Sequence, residues 1–192
     1  MHPFPSVSEI LRSIPSTASV FAKFHAVKGY FQIALDEESS RLTTFILPSG
    51  RYRCLRIPQG LNASSDEWCR QSDLLTEGLI WCRKLVNDIL VWAPSNAELI
   101  QRLEILALRC RKYRVILSKK KCIIGLTLPF AGYIISNNGV KPVPDRIMSL
   151  QKFPAPKDST GVRSFLGLAN QLAFFVPDFA QNFRSIRELL GK

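Results

Sequence analysis

The sequence predicts an α+β domain. Three observations carry that expectation. Short apolar runs bounded by Pro, Gly, Ser and Asn recur between Val20 and Ile135 and read as strands and hairpins. Two stretches, from about Ser65 to Gly78 and from Ser95 to Arg114, instead carry apolar residues at helical spacing. From Lys141 onward the composition shifts again, to short helical segments separated by prolines.

The elements follow in order. Ser6-Val7-Ser8-Glu9 has the S-x-x-E form of a capping box and opens a short helix that should end before Pro15. Val20 to Phe24 reads as a strand. So does Tyr30 to Leu35, where Phe31, Ile33 and Leu35 alternate with Gln32 and Ala34. Thr43 to Leu47 and Tyr52 to Ile57 should pair across the turn Pro48-Ser49-Gly50. Pro58-Gln59-Gly60 breaks that strand, and a helix with Trp68, Leu74 and Leu75 facing inward follows. Lys84-Leu85-Val86 and Ile89-Leu90-Val91-Trp92 are two β-type runs joined at Asn87-Asp88, a tight hairpin with an exposed polar tip.

Ser95-Asn96-Ala97-Glu98 is a second capping box. Its helix places Leu99, Leu103, Leu106 and Cys110 on one face, and its basic end complements the helix dipole. Ile123-Ile124 and Phe130 to Ile135 read as a further hairpin, and Asn137-Asn138-Gly139 as the turn that closes the strand-rich part. Val143-Pro144-Asp145 starts a short helix with Ile147 and Leu150. Pro154-Ala155-Pro156 is a stiff linker. Asp158 caps a helix carrying Val162, Phe165, Leu166 and Leu172, and a last helix runs around Phe183 to Leu190. A boundary near Gly139 divides residues 1–139 from 140–192.

With 192 residues, 46% of them apolar, the chain can bury a sizeable core. Lys and Arg number 26 against 15 acids, a net charge of +11. That excess favours a polyanionic partner, most simply nucleic acid, through phosphate neutralisation and counterion release. The basic residues Arg109, Arg111, Lys112, Arg114 and Lys119-Lys120-Lys121 either contact phosphate or form a solvated helix end and loop. The five cysteines are odd in number, widely spaced and without C-x-x-C, so a disulfide framework or zinc site is not expected. A reducing intracellular compartment, cytoplasm or nucleus, fits that usage. His2 and His25 lie too far apart for a local metal motif. Met1 to Pro5 shows no signal-peptide pattern, and no apolar run approaches the roughly 20 residues of a membrane-spanning helix. No membrane partner is expected, and oligomeric state is not legible.

At this point the residues resemble a known family. Phe24-His25-Ala26-Val27-Lys28-Gly29-Tyr30-Phe31-Gln32 is similar to the first catalytic strand of reverse transcriptases from gypsy-type LTR retrotransposons. Leu35-Asp36-Glu37-Glu38, Thr43-Thr44-Phe45, Arg56-Ile57-Pro58-Gln59-Gly60, Leu85-Val86-Asn87-Asp88 and Leu117-Ser118-Lys119-Lys120-Lys121-Cys122 continue the match. It runs on through Phe130-Ala131-Gly132-Tyr133, Phe153-Pro154-Ala155-Pro156 and the Arg163 to Asn170 segment. Each motif alone is weak, but their order over nearly the whole chain is specific.

The resemblance implies a palm with partial fingers over residues 1–139 and a small helical thumb over 140–192. It implies RNA-directed DNA polymerisation of deoxynucleoside triphosphates on an RNA or DNA template–primer. The family does this with two Mg²⁺ ions about 3.5–4 Å apart, held by carboxylates. It places one Asp on the first catalytic strand and a pair in a Tyr-x-Asp-Asp hairpin. Here those positions hold His25, Asn87 and Asp88, so one carboxylate of three remains as the catalytic and metal-binding candidate. Imidazole nitrogen and a neutral amide suit Mg²⁺ poorly. Each lost ligand is expected to cost several kcal/mol, and about 1.4 kcal/mol is already tenfold in rate.

Other positions match intact. Tyr30 corresponds to the aromatic beneath the incoming sugar, and Gln59 to the residue beside that nucleotide. Phe130, Ala131, Gly132 and Tyr133 correspond to the hairpin that positions the primer. Arg163 and the basic residues around Lys141, Arg146 and Lys152 are candidates for the template–primer backbone. By the same resemblance, earlier finger strands and the RNase H and integrase portions lie outside this sequence. Gly161 stands where the thumb helix usually carries an acid, at a cost of about 1 kcal/mol in helix stability. Three readings result: a degenerate polymerase, a non-catalytic nucleic-acid-binding module of retrotransposon origin, and an active enzyme using unusual ligands such as His25.

Overall fold

A computed structural model describes residues 5–191. Met1 to Phe4, most of the stretch inspected for a signal pattern and including His2, lie outside the described residues. The described chain forms two compact units. One runs to Ala131 and includes Ile135–Gly139; the other comprises Gly132–Ile134 and the residues from Val140 onward.

The first unit is built on a four-stranded sheet. After helix α1 (Val7–Arg12) come strand β1 (Val20–His25), helix α2 (Glu37–Leu42), strands β2 (Phe45–Leu47) and β3 (Gly50–Tyr52), and helix α3 (Asn62–Asp73). Strands β4 (Cys82–Leu85) and β5 (Asp88–Ala93), helix α4 (Asn96–Lys112) and strands β6 (Ile123–Gly125) and β7 (Thr127–Phe130) complete it. The sheet order is β4-β5-β1-β6, with β1 antiparallel to both β5 and β6. Val20, Ala22, Val91 and Ala93 alternate onto one face and pack with Leu99, Leu106 and Cys110 of α4. The period-2 pattern of the strands and the 3.6 pattern of the helix therefore meet in one core.

Local rules account for the ends of these elements. At α1 the capping box closes both ways: Glu9 N–H donates to Ser6 Oγ at 3.2 Å, and Ser6 N–H donates to Glu9 Oε2 at 2.6 Å. At α4 only half the box forms. Glu98 N–H donates to Ser95 Oγ at 3.3 Å, but the Glu98 carboxylate turns to Arg102.

Several expectations are corrected. Tyr30 to Leu35 is not a strand; Gly29–Gln32 forms a 3-10 turn, and only an isolated bridge joins Ala34 to Arg56. Gln32 explains the departure. Its Nε2 donates to Val27 O and Ile116 O, and its Oε1 accepts from Ile116 N–H at 2.8 Å, so the side chain supplies the bonds a neighbouring strand would have made. Helix α2 was not anticipated, although Asp36 Oδ1 caps it by accepting from Ser39 N–H at 2.7 Å. The strand expected from Tyr52 to Ile57 is Gly50–Tyr52, and Ile123-Ile124 pairs with β1 instead of closing a hairpin with Phe130 to Ile135. Trp68 and Leu75 are buried as expected, whereas Leu74 lies past the end of α3 and is exposed.

Strands β8 (Tyr133–Ser136) and β9 (Gly139–Pro142) follow, so Asn137-Asn138-Gly139 turns into another strand instead of ending the strand-rich part. The second unit contains helices α5 (Pro144–Gln151), α6 (Ser159–Asn170), α7 (Phe179–Asn182) and α8 (Arg184–Glu188). The helix expected over Phe183 to Leu190 is thus shorter. Ile147 on α5 is exposed. Asp158 caps α6 as expected, Oδ1 accepting from Gly161 N–H at 2.6 Å. Phe153, Phe165, Phe179 and Phe183 form a chain of aromatic contacts, 4.3–6.1 Å between ring centroids.

Candidate functional site

The register of β1 against β5 sets His25 opposite Asp88. Residues far apart in sequence thereby become partners: His25 Nδ1 lies 2.8 Å from Asp88 Oδ1, with both side chains partly buried. The hairpin turn falls at Val86-Asn87, and Asp88 begins the strand. The exposed polar tip expected from the sequence is not formed. Asn87 is half-buried, and its Oδ1 is buried with no hydrogen-bond partner.

Packing beneath the hairpin explains that burial. A Cβ added at Gly29 would meet Asn87 Oδ1 at 2.5 Å and Trp68 at 2.6 Å, so glycine is needed for the close approach. Trp68 Nε1 donates to Val86 O at 3.1 Å, and Ala26 N–H donates to Asn87 O at 2.8 Å. Val86 is held at φ 52°, a left-handed conformation that a β-branched residue rarely adopts. Lys84, unremarked in the sequence, secures the hairpin to α3. Its Nζ is buried and sits 2.8 Å from Asp73 Oδ1, 2.7 Å from Ser72 Oγ and 3.1 Å from Cys69 O. A lysine at the start of the apolar run Lys84-Leu85-Val86 was the available signal.

A cavity of about 300 Å³ opens beside this pair, lined by His25, Val27, Lys28, Gly29, Gln59, Asn87, Ser118 and Lys121. Ser118 N–H donates to His25 O at 2.8 Å and brings the lysine-rich loop to the site. Gln59 therefore shares a cavity with His25 and Asn87. Tyr30 does not line it; its ring packs with Ala26, Trp68 and Cys69, and its hydroxyl lies 3.2 Å from Ser65 Oγ. A larger cavity of the same unit, about 730 Å³, is lined by Phe31, Arg56, Trp68, Arg114 and neighbours and contains none of the altered positions.

The four residues expected at the primer hairpin divide between the two units. Phe130 is buried in the first, and Ala131 takes a left-handed φ of 50°. Gly132, at φ 81°, and Tyr133 belong to the second, where Tyr133 Oη donates to Gln171 O at 2.6 Å and Arg146 stacks 4.8 Å above its ring. Arg109, grouped with the candidate phosphate contacts, is engaged internally: its guanidinium reaches the carbonyls of Leu74, Leu75 and Glu77. Arg163, Lys141 and Lys152 are exposed.

The donor set does not fit a pair of Mg²⁺ ions. One carboxylate is present and its Oδ1 is engaged by an imidazole, while the amide oxygen faces Gly29 and Trp68. Among the described residues no group of three His, Cys, Asp or Glu side chains is placed to hold a metal ion. No helix among them is long and apolar enough to cross a membrane.

The model of the family described as reverse transcriptase (RNA-dependent DNA polymerase) matches residues 4–168. The Pol polyprotein of the Drosophila melanogaster transposon gypsy is 32% identical over 195 residues, covering 98% of this chain, and that of transposon 297 is 27% identical over 194. The chain spans 18% of the length of each. Among solved structures, a foamy viral protease-reverse transcriptase in complex with an RNA/DNA hybrid superposes with a TM-score of 0.84 at 20% identity, over 98% of this chain and 26% of that one. A form in complex with double-stranded DNA gives 0.88 at 19% identity, over 100% and 34%. The α+β fold is that of a reverse transcriptase, and the chain belongs to the reverse transcriptase (RNA-dependent DNA polymerase) family.

Proposed function

We propose that this chain is a catalytically degenerate reverse transcriptase domain of an LTR retrotransposon, with a partial fingers and palm region over residues 1–139 and thumb-like helices over 140–192. One observation carries the reading: Asp88, the single acid left at the three family positions, has its Oδ1 2.8 Å from His25 Nδ1. Divalent metal is what the family's chemistry runs on. A site with one engaged carboxylate and a buried amide oxygen lacks the negative charge that two dications require. Loss of polymerisation by many orders of magnitude follows from each missing ligand costing several kcal/mol.

The test is primer extension on poly(rA)–oligo(dT) with Mg²⁺ or Mn²⁺. No incorporation is expected. Robust incorporation by the native chain, abolished by Asp88→Ala, would falsify the proposal and favour an active site with unusual ligands. The paired reversion His25→Asp with Asn87→Asp, assayed in parallel, restores the three-carboxylate set. If the revertant also fails, the lesion extends beyond the metal ligands.

A second reading, a retained nucleic-acid-binding module without catalysis, is favoured by the net charge of +11 and by the exposed Arg163, Lys141 and Lys152. It expects an affinity for an RNA–DNA hybrid that falls steeply with salt. A flat salt dependence would remove it.

A further inference from the structure

We propose that the cavity of about 730 Å³ in the first unit is a binding site for a planar aromatic carboxylate. It shares no lining residue with the cavity at His25 and Asn87, so it stands apart from the altered centre. Its volume falls within the about 300–1,000 Å³ of small-molecule sites. The walls are aromatic and aliphatic. Phe31, Trp68 and Tyr113 line it, and Phe31, Leu74 and Ile116, all exposed, converge on the same hollow.

The charged lining has one sign. Arg56 and Arg114 face the cavity, and no carboxylate lines it. Neither arginine has an acidic partner among the described residues. Arg56 is anchored: Nη1 donates to Gln32 O at 3.0 Å, which leaves Nε and Nη2 to fork a carboxylate. Arg114 carries a second signal. It follows Tyr113, the C-cap of α4, at φ 56°, a left-handed position usually held by glycine or asparagine. Residues kept against backbone preference cluster at ligand clamps. The walls are also preformed. Gln32 bonds to Val27 O, to Ile116 O and to Ile116 N–H, and so holds the Phe31 side of the cavity to the Ile116 side. A neutral ring would leave two guanidinium groups unpaired, and a bare anion would leave the aromatic walls uncovered. A ring bearing a carboxylate satisfies both.

Calorimetric titration of the full chain with 2-naphthoate tests this. Saturable binding at one site is expected. Acetate and 2-naphthol, which carry only the charge or only the ring, are expected to bind at least tenfold more weakly. Arg56→Gln with Arg114→Asn should weaken naphthoate binding at least tenfold; asparagine suits the left-handed backbone at position 114, so the fold is retained. Circular dichroism on the variant separates loss of the site from loss of the fold. Arg83→Gln, which alters an arginine outside this cavity, should leave the affinity unchanged. No saturable binding, equal binding of acetate or 2-naphthol, or naphthoate binding that survives the double arginine variant overturns the proposal. None of these readouts involves primer extension, so the polymerase reading stands or falls separately.

Discussion

Two hairpins of the first unit make the same two-residue connection by different means. In β2–β3, Leu47 pairs with Gly50 across Pro48-Ser49; in β4–β5, Leu85 pairs with Asp88 across Val86-Asn87. The first hairpin is exposed throughout, with Phe45, Ile46, Leu47 and Tyr52 all in solvent, and its positive φ falls on glycine, Gly50 at 140°. The second is packed on Trp68 and tied to α3 by its own Lys84, and its positive φ falls on valine. A left-handed valine costs about 1–3 kcal/mol and persists only where surrounding structure over-determines it. Backbone strain at Val86 and the unpartnered Asn87 Oδ1 thus sit together in one hairpin, while in the other the positive φ falls on a glycine that bears it at little cost.

The comparison can be broken by substitution. Trp68→Ala removes a fully buried ring and the bond to Val86 O; about 3–5 kcal/mol should be lost in urea denaturation. A loss below 1 kcal/mol would mean the hairpin does not depend on α3. Gly29→Ala drives a methyl against Asn87 and Trp68 and should cost about 1–3 kcal/mol. Its counterpart Gly50→Ala meets no atom within 4 Å and should cost only about 1 kcal/mol, from backbone conformation alone. Equal losses at the two glycines would erase the distinction.

Cysteines sharpen it further. Burial pushes the Cys82 thiol on β4 up to about 12 and the Cys110 thiol to about 11, above the usual 9.0. The folded state therefore binds more protons than the unfolded state between those values. This contribution to stability is complete below pH 9 and declines as pH rises toward 12. At pH 8, alkylation should reach the half-buried Cys54, just past β3, well before Cys82 or Cys110. Simultaneous labelling of all three, read by mass spectrometry, would show that β4–β5 opens as readily as β2–β3. The smallest effect is expected at Ile46→Ser, where an exposed side chain should change stability by no more than about 0.5 kcal/mol.

Apolar runs made β1, β4 and β5 legible, and apolar residues at helical spacing made α4 legible, because Leu99, Leu106 and Cys110 face one core. Caps made α1 and α6 legible because Ser6 and Asp158 act within three residues of their partners. Reading failed where a side chain took over the work of a strand. Phe31, Ile33 and Leu35 alternate as a strand should, yet Gln32 diverts the segment by bonding to Ile116, 84 residues away. Helix α2 was missed although Asp36-Glu37-Glu38 is a cap followed by first-turn acids. The motif positions His25, Asn87 and Asp88 were legible through motif order, but the burial of the Asn87 Oδ1 and the pairing of Asp88 with His25 were not.

Residue order and composition were enough to give the family, the α+β pattern, the basic charge and the identity of the residues at the three motif positions, His25, Asn87 and Asp88. Tertiary structure decided what those residues do to one another. The β1–β5 register placed His25 on Asp88, Gly29 and Trp68 buried the Asn87 oxygen, and the Ser118 loop brought Lys121 into the cavity that Lys28 also lines. Such pairings arise from strand register and long-range packing, which no local spacing encodes.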